Sequence, residues 1–432
     1  MSSTKCIRFA KIYILCAIAF LTLLSIFFYS KKNLNSFCAL VEGLQKKNTL
    51  DGEVCIIKNN NVILHAKSSS VMVNSPNDQS QFLIGSLSKQ FTAVGLLHAL
   101  YTISYGNSEA EKFSFVEKEL HKPLSQFLPA NSSIWNNAMP DWAHKITLHH
   151  LLSHTAGLAN VIRDIFDTTG FDGVRKQLSV PHTPAQIVSL LIEKPLLFEP
   201  GTSYAYSNEG YLLLTEVIAV ILGMPFAQYI ENLCHSIGMT STYHPSRGNW
   251  KQIKEQQECS YLLPELVYNP IDKEPLLREP APIMWDDVSN ARGAGGIVST
   301  VKDLIAWNNA LHKEYIILPK PLYGLFIKPN LKNYAYGIQN KNGILTHNGE
   351  LDSFSSKMLY IPKEDLLIIA LFHINADETI KKTSYLLDNV LKTVIPAELE
   401  RNALMSKISA ELDQKYPATR GAALIRKFEI TG

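Results

Sequence analysis

Ser86 and Lys89 lie three residues apart in the stretch GSLSKQFTAVG, which runs from Gly85 to Gly95. Apolar residues at helical spacing follow them, so the pattern predicts a helix that begins near Ser86. Residues three apart share a helix face, and the two side chains should project together. A lysine that burial keeps neutral can take the proton of a serine hydroxyl, which is otherwise a poor nucleophile. We therefore predict a serine nucleophile with a lysine base, and the free N–H of the first helical turn as an oxyanion donor.

This spacing alone is not specific, because it recurs at Ser2-Ser3-Thr4-Lys5 and at Ser299-Thr300-Val301-Lys302. The first copy precedes an apolar N-terminal run. The second has the pattern of an ordinary helix cap, and the same structural interpretation is available for Ser86.

A second element is FEPGTSYAYSNEGY, from Phe198 to Tyr211. It places Tyr206 and Asn208 between a Pro-Gly turn and a long apolar run. A tyrosine beside a lysine can relay protons, and an asparagine amide can hold the lysine and a substrate carbonyl together. The structural alternative is a turn tyrosine and a helix-cap asparagine.

A third element is His347-Asn348-Gly349-Glu350, at the end of a predicted strand. Gly349 would let a substrate backbone lie against the strand edge, and the N–H of Glu350 would be a second oxyanion donor. His347 could bind a substrate carboxylate or pass a proton. The alternative is a structural histidine.

The three motifs, in this order, resemble the serine β-lactamase and penicillin-binding protein superfamily. The tyrosine of the middle motif makes them similar to its class C branch, which includes class C β-lactamases, D-alanyl-D-alanine carboxypeptidases, D-aminopeptidases and related esterases. Three further stretches look similar to the family: ITLHHLLSHTAGL (146–158), FEPGTSYAYSN (198–208) and GAGGIVSTVKDL (293–304). The resemblance extends over residues 53–394.

By position, the resemblance implies that Ser86 is the acylated nucleophile, with Lys89 and Tyr206 as general base and proton shuttle. Asn208 resembles the amide that orients the substrate. The third motif supplies substrate contacts, and it completes the oxyanion hole with the N–H of Glu350. The resemblance implies a small-molecule or peptide substrate and no metal or organic cofactor.

One departure from the family pattern bears on the substrate. β-Lactamases of this branch usually carry lysine where this chain has His347. Lysine is a permanent cation suited to the carboxylate of a β-lactam, whereas histidine is mostly neutral at pH 7. The departure favours a peptidase or an esterase, with a class C-type β-lactamase as the alternative. A non-catalytic binder of cell-wall fragments, or a scaffold, is an alternative of another kind, which the complete set of reactive side chains argues against.

The N-terminus contains an apolar run at Ile12–Tyr29, eighteen residues without a charge. Such a run can cross a bilayer as a helix. Positive residues are more frequent before it than after it, which predicts an uncleaved anchor with the body outside the cytoplasm. A cleaved signal peptide is the alternative. The chain has a net charge of +2 and 19% charged residues, with no basic stripe, which argues against a nucleic-acid partner.

The remaining pattern predicts an α+β fold, in which strands from both ends of the domain form one antiparallel sheet, flanked by helices, around a mostly helical insertion. The predicted segments are a cytoplasmic stretch (1–11), the anchor (12–30), a linker running into a first helix (31–51), the hydrolase domain (52–395) and a helical tail (396–432). Strands or hairpins are predicted at 53–66, 334–346 and 355–374, helices at 147–158, 185–194, 210–222, 301–311 and 378–394, and a loop or inserted helix at 104–122. Four cysteines of the exported part allow three disulfide pairings, which the sequence does not distinguish: Cys38, Cys55, Cys234 and Cys259.

Overall fold

The computed structural model describes residues 52–67, 80–106, 108–161, 180–245, 290–351 and 354–373, with Cys38, Glu42 and two short strands. Except for Cys38 and Glu42, these residues belong to one compact unit, Asn48–Asp377. The predicted anchor, the helix predicted at 378–394 and the tail lie outside the described residues, as does nearly all of the linker.

The described strands form one large antiparallel sheet and two small ones. In chain order they are β1 (Gly52–Lys58), β2 (Asn61–Lys67), β3 (Phe82–Leu83), β4 (Leu266–Tyr268), β5 (Pro275–Leu277), β6 (Val298–Ser299), β7 (Gln339–Lys341), β8 (Ile344–Leu351), β9 (Phe354–Ile361) and β10 (Leu366–His373). The large sheet has the order β2-β1-β10-β9-β8-β7, while β3 pairs with β6 and β4 with β5. Strands from the two ends of the unit therefore meet at β1 and β10, as predicted.

The tight turns of this sheet follow from local sequence. Asn59 and Asn60 have φ of 50° and 63°, and Asn342 and Gly343 have φ of 56° and 86°. Two-residue hairpins need such left-handed residues, so the hairpins predicted at 53–66 and 334–346 are confirmed in their turns. The strand predicted at 334–337 is wrong, because β7 begins at Gln339.

Along the chain, the described helices lie between β2 and β7. They are α1 (Ser88–Ile103), α2 (Glu109–Leu120), α3 (Leu148–Leu152), α4 (Pro184–Ile192), α5 (Asn208–Leu222), α6 (Phe226–Ser236), α7 (Arg292–Gly295), α8 (Val301–Asn308) and α9 (Lys320–Phe326). The segment 104–122 thus contains an inserted helix, α2, as one of its two predicted forms, and the predictions at 185–194 and 210–222 are confirmed. The helix predicted at 147–158 is too long. It ends at Leu152 because His154 and Gly157 have φ of 58° and 74°, which an α-helix excludes.

The core centres on α1, whose residues from Ser88 to Leu97 are all buried. Phe91 of α1 stacks on Trp307 of α8, with ring centroids 3.9 Å apart. Burying such an aromatic side chain contributes about 1.5–3 kcal/mol. The same helix carries Lys89 into the interior, so the driving force that buries its apolar residues also removes an amine from water.

Within the described residues, no single helix is long and apolar enough to span a membrane. The pair α5 and α6 meets this test only jointly, and it is bent by 78°. Among the described cysteines, Cys38, Cys55 and Cys234 are free thiols. Cys259 lies outside the described residues.

Candidate active site

Ser86 lies on a short connection between strand and helix. It occupies a 3-10 turn, Gly85–Leu87, that joins β3 to α1, and not α1 itself as its pattern had predicted. Gly85 has a φ of 49°, a conformation that glycine adopts without the cost of a Cβ atom. The turn packs against β8 and β9. The serine therefore lies where the helical region meets the sheet, and it is half-buried.

Lys89 is fully buried one helical turn later, with 0% of its surface exposed. Its Nζ lies 3.2 Å from Ser86 Oγ, 2.7 Å from Asn208 Oδ1 and 2.7 Å from the carbonyl oxygen of Ala294. Burial lowers its pKa well below the ordinary value, although the charge of Glu209 partly opposes this. A neutral amine has two hydrogens and one lone pair. Because an amide oxygen and a carbonyl can only accept, the neutral form of Lys89 would direct its two hydrogens to Asn208 and Ala294 and leave its lone pair for the Ser86 hydroxyl.

Tyr206 approaches the same serine from the segment before α5. Its hydroxyl donates to Ser86 Oγ over 2.9 Å, and Lys89 Nζ lies 4.7 Å from the centroid of its ring. Burial raises the pKa of Tyr206 above its ordinary value, while the hydrogen bond to Ser86 opposes this. The phenol is therefore protonated, and the serine oxygen lies between a base and a proton donor.

Asn208 is the first residue of α5, and Ser207 is its N-cap, with its hydroxyl accepting from the N–H of Gly210. The interpretation of Asn208 as the cap is therefore wrong. Its amide instead reaches α1 and accepts from Lys89. Its contact with substrate stays a prediction.

His347 is buried in β8 with both ring nitrogens engaged. Nδ1 lies 2.6 Å from the carbonyl oxygen of Asn348, to which it must donate, and Nε2 then accepts from the hydroxyl of Tyr334 at 2.9 Å. Burial, followed by the nearby charge of Lys89, lowers its pKa to about 4. The imidazole is thus neutral near pH 7, and neither nitrogen is free for a substrate carboxylate.

Gly349 allows β8 to approach the turn that carries Ser86. A Cβ atom at this position would lie 2.0 Å from the carbonyl oxygen of Ile84 and 2.4 Å from Ser356 Oγ. The close approach of Ile84 therefore accounts for glycine at this position, and a contact of Gly349 with a substrate backbone stays a prediction. Glu350 follows in β8, opposite Ser355 of β9. Strand β7 pairs with β8 as far as Thr346, and an oxyanion role for the N–H of Glu350 stays a prediction.

Two polar groups near Lys89 were not identified from the sequence. The carbonyl of Ala294 belongs to α7, where a Cβ on Gly293 would come within 2.4 Å of Thr92 Oγ1. The run of small residues GAGG was the available signal, since it permits such close packing. Glu209 is buried and accepts from the N–H of Val161 and from Ser207 Oγ. From the sequence alone, Glu209 cannot be distinguished from the acidic residues that commonly stabilise the first turn of a helix.

The second copy of the spacing, at residues 299–302, has a structural role. Thr300 caps α8 by accepting from the N–H of Asp303, and Ser299 Oγ bonds Thr242. Lys302 is exposed. Spacing alone therefore does not identify the site, as the capping alternative had indicated.

A comparison with models of protein families shows which family this sequence belongs to. The model of the Beta-lactamase family matches residues 38–391. The chain belongs to this family. Among curated relatives, Penicillin-binding protein 4* of Bacillus subtilis (strain 168) is 24% identical over 355 residues, which cover 76% of this chain and 69% of that protein.

Several solved structures have a similar fold. A D-stereospecific amidohydrolase from Streptomyces sp. superposes with a TM-score of 0.57 at 20% identity, covering 79% of this chain and 96% of that one. The D-amino acid amidase of Ochrobactrum anthropi SV3, complexed with L-phenylalanine amide, gives 0.59 at 18% identity, covering 85% and 99%. At these identities the likeness concerns the fold, which is that of the serine β-lactamase and penicillin-binding protein superfamily.

Proposed function

We propose that this family member is a serine hydrolase that forms an acyl-enzyme on Ser86. The observation that carries the proposal is the double contact on Ser86 Oγ, which faces the amine of Lys89 and receives the hydroxyl of Tyr206. One group can remove a proton at this oxygen and the other can supply one, as acyl transfer requires.

The reaction proceeds in two balanced steps. Lys89 takes the proton of Ser86, whose oxygen bonds to the substrate carbonyl carbon, and the N–H groups of Ser86 and Glu350 hold the oxyanion. Tyr206 gives its proton to the departing nitrogen or oxygen as that bond breaks, and it recovers a proton from Lys89. Water then attacks the ester by the reverse of these transfers, which releases the acid and restores the Ser86 hydroxyl.

The substrates that fit best are peptides or amides of D-amino acids, or small esters. Names of similar proteins support this class, since they include a penicillin-binding protein, a D-stereospecific amidohydrolase and a D-amino acid amidase. The neutral state of His347 supports it too, because a β-lactam carboxylate would meet no cation at this position.

A panel of substrates tests the proposal. Hydrolysis of a D-Ala-D-Ala peptide, D- and L-phenylalanine amide, a nitrophenyl ester and a chromogenic cephalosporin would be compared for the wild-type chain, Ser86→Ala and Ser299→Ala. We expect turnover of a D-amide, a D-peptide or the ester to be lost in Ser86→Ala and kept in Ser299→Ala. Turnover that survives Ser86→Ala, or a folded wild-type chain inactive on the whole panel, would contradict the proposal. Preferential cephalosporin hydrolysis would assign a β-lactamase.

We also propose that residues 12–30 anchor the hydrolase outside the cytoplasm. The support is the uncharged run at Ile12–Tyr29 with its positive flanks. A reporter fused after Gly432 should be active only on the extracytoplasmic side. Activity confined to the cytoplasm would contradict this orientation.

A further inference from the structure

His154 accepts hydrogen bonds from the two residues that flank Tyr206 in the chain. Its carbonyl oxygen accepts from the N–H of Ala205 at 2.9 Å, and its Nδ1 accepts from the N–H of Ser207 at 3.2 Å. Tyr206 lies between these two residues. The ring of His154 also packs on that of Tyr206, with centroids 4.2 Å apart.

We propose that His154 is a positioning residue, which holds Tyr206 at hydrogen-bond distance from Ser86. This inference rests on the proposed function. His154 contacts Tyr206 and its two chain neighbours, so it acts through the phenol and does not itself meet the reacting atoms.

The ring nitrogens of His154 distinguish this role from simple packing. Because Nδ1 accepts a hydrogen bond, the hydrogen of the neutral ring is on Nε2. Within the described part of the chain, Nε2 is buried without a hydrogen-bond partner. Leaving such a donor unpaired costs about 1–3 kcal/mol. An apolar ring would avoid that cost, but it could not accept from Ser207.

The backbone of His154 points the same way. Its φ of 58° is uncommon for residues other than glycine, and asparagine tolerates it better than most. Such conformations persist where the surrounding structure requires them. Histidine is, with asparagine and aspartate, among the residues that adopt this conformation most readily after glycine, and at this position its Nδ1 can accept from the N–H of Ser207.

The loop that contains His154, residues 153–157, also contacts the segment before α5 at a point farther from Tyr206. The carbonyl oxygen of Thr155 accepts from the N–H of Gly201 at 2.8 Å, and Ser153 Oγ bonds Thr155 Oγ1 at 2.9 Å. These bonds hold the loop without touching Tyr206. Ser153→Ala is therefore a matched control, since it weakens the same loop and leaves the His154 contacts in place.

The test uses the rate at which a fluorophosphonate probe labels Ser86 in the full chain. His154→Leu removes the acceptor. His154→Asn keeps an oxygen close to the position of Nδ1 and suits the backbone. We expect His154→Leu to lower the limiting labelling rate by about 10–100-fold, with an unchanged half-saturating probe concentration, since small displacements of a proton donor have effects of this size. His154→Asn should recover to within roughly threefold of the wild-type rate, because the acceptor is what matters.

Two results would overturn the inference: wild-type labelling by folded His154→Leu, or equal losses in folded His154→Asn and His154→Leu. Thermal melts establish folding. If His154→Leu does not fold, the ring nitrogens of His154 in the wild-type chain are examined by ¹⁵N NMR, where a proton on Nδ1 would overturn it. If the wild-type chain is not labelled at all, the proposed function fails, and the NMR result alone decides whether His154 makes the contact with Ser207.

Discussion

The hydroxyl of Tyr206 donates to Ser86 Oγ over 2.9 Å, across 120 positions of the chain. Lys89 reaches the same oxygen from one helical turn away, at 3.2 Å. Ser86 Oγ therefore has both a base and an acid within reach before any substrate is bound.

Tyr206→Phe removes the proton donor and keeps the ring. We expect the rate of hydrolysis, measured as kcat/KM on the best panel substrate, to fall by about 100-fold or more, the usual range for a general acid. Tyr105→Phe is the control, because Tyr105 is 88% exposed and follows the end of α1 opposite to Lys89. An undiminished rate in Tyr206→Phe would remove the phenol from the mechanism.

Glu209→Gln should shift the pH dependence of hydrolysis. The charge of Glu209 raises the pKa of Lys89, which burial lowers, so its removal lowers that pKa further. Because Lys89 must be neutral to accept a proton, the acidic limb of the pH–rate profile should move to lower pH. A limb that stays in place or moves to higher pH would show that Lys89 is not the base.

His347 should not select substrates by a carboxylate, since both of its nitrogens are engaged and its pKa is about 4. We expect a D-Ala-D-Ala peptide and its C-terminal amide to differ by less than about tenfold in kcat/KM, which corresponds to about 1.4 kcal/mol. A preference for the free acid above about a hundredfold, lost in His347→Ala, would show that His347 does bind the carboxylate.

Acid should destabilise the fold through buried histidines. Burial lowers the pKa of His312 to about 3 and that of His244 to about 4, below the ordinary 6.5 of an unfolded chain. The folded state therefore disfavours the protonated ring. This stability is complete above pH 6.5 and is lost as the pH falls towards 4, at about 1.4 kcal/mol per pH unit for each such group. Melts of wild type, His312→Phe and exposed His144→Gln test this. Of the two variants, only His312→Phe should reduce the fall of the melting temperature with decreasing pH. A wild-type melting temperature that does not change between pH 6.5 and 4 would contradict this prediction.

Gly349→Ala should destabilise the fold and slow labelling of Ser86. The added carbon would lie 2.0 Å from the carbonyl oxygen of Ile84, two residues before the serine. We expect a loss of about 1–3 kcal/mol, typical of overpacking. Gly324→Ala is the matched control, because it is an exposed helical position with nothing within 4 Å of the added carbon, where alanine stabilises by about 0.5–1 kcal/mol. Equal melting temperatures for the two variants would contradict the packing described here.

The sequence was most informative where local chemistry determines structure. Asn342-Gly343 forms a hairpin turn within the predicted hairpin at 334–346, and two of the three short motifs identified four side chains that meet, Ser86, Lys89, Tyr206 and Asn208. Their spacing in the chain could not identify groups that act through backbone atoms. The carbonyl of Ala294 and the N–H groups bound by His154 carry no side-chain signature, so only the fold reveals them.

Sequence patterns were least reliable where tertiary contacts override local preference. The apolar spacing of 147–158 suits a helix, yet His154 and Gly157 adopt left-handed conformations and end it. Likewise, Gly337 has a φ of 71°, and a Cβ there would lie 2.3 Å from the carbonyl oxygen of Lys89. The extended strand predicted at 334–337 gives way to a close contact with α1, which periodicity cannot anticipate.

The most direct test of the central claim is to map the fluorophosphonate adduct by peptide mass spectrometry in the wild-type chain, Ser86→Ala and Ser299→Ala. Ser86 and Ser299 share the same spacing to a lysine, but only Ser86 has Lys89 and Tyr206 at its oxygen. We predict one adduct, on Ser86, present in the wild-type chain and Ser299→Ala and absent from folded Ser86→Ala. An adduct on another serine, or labelling that persists in Ser86→Ala, would contradict the account.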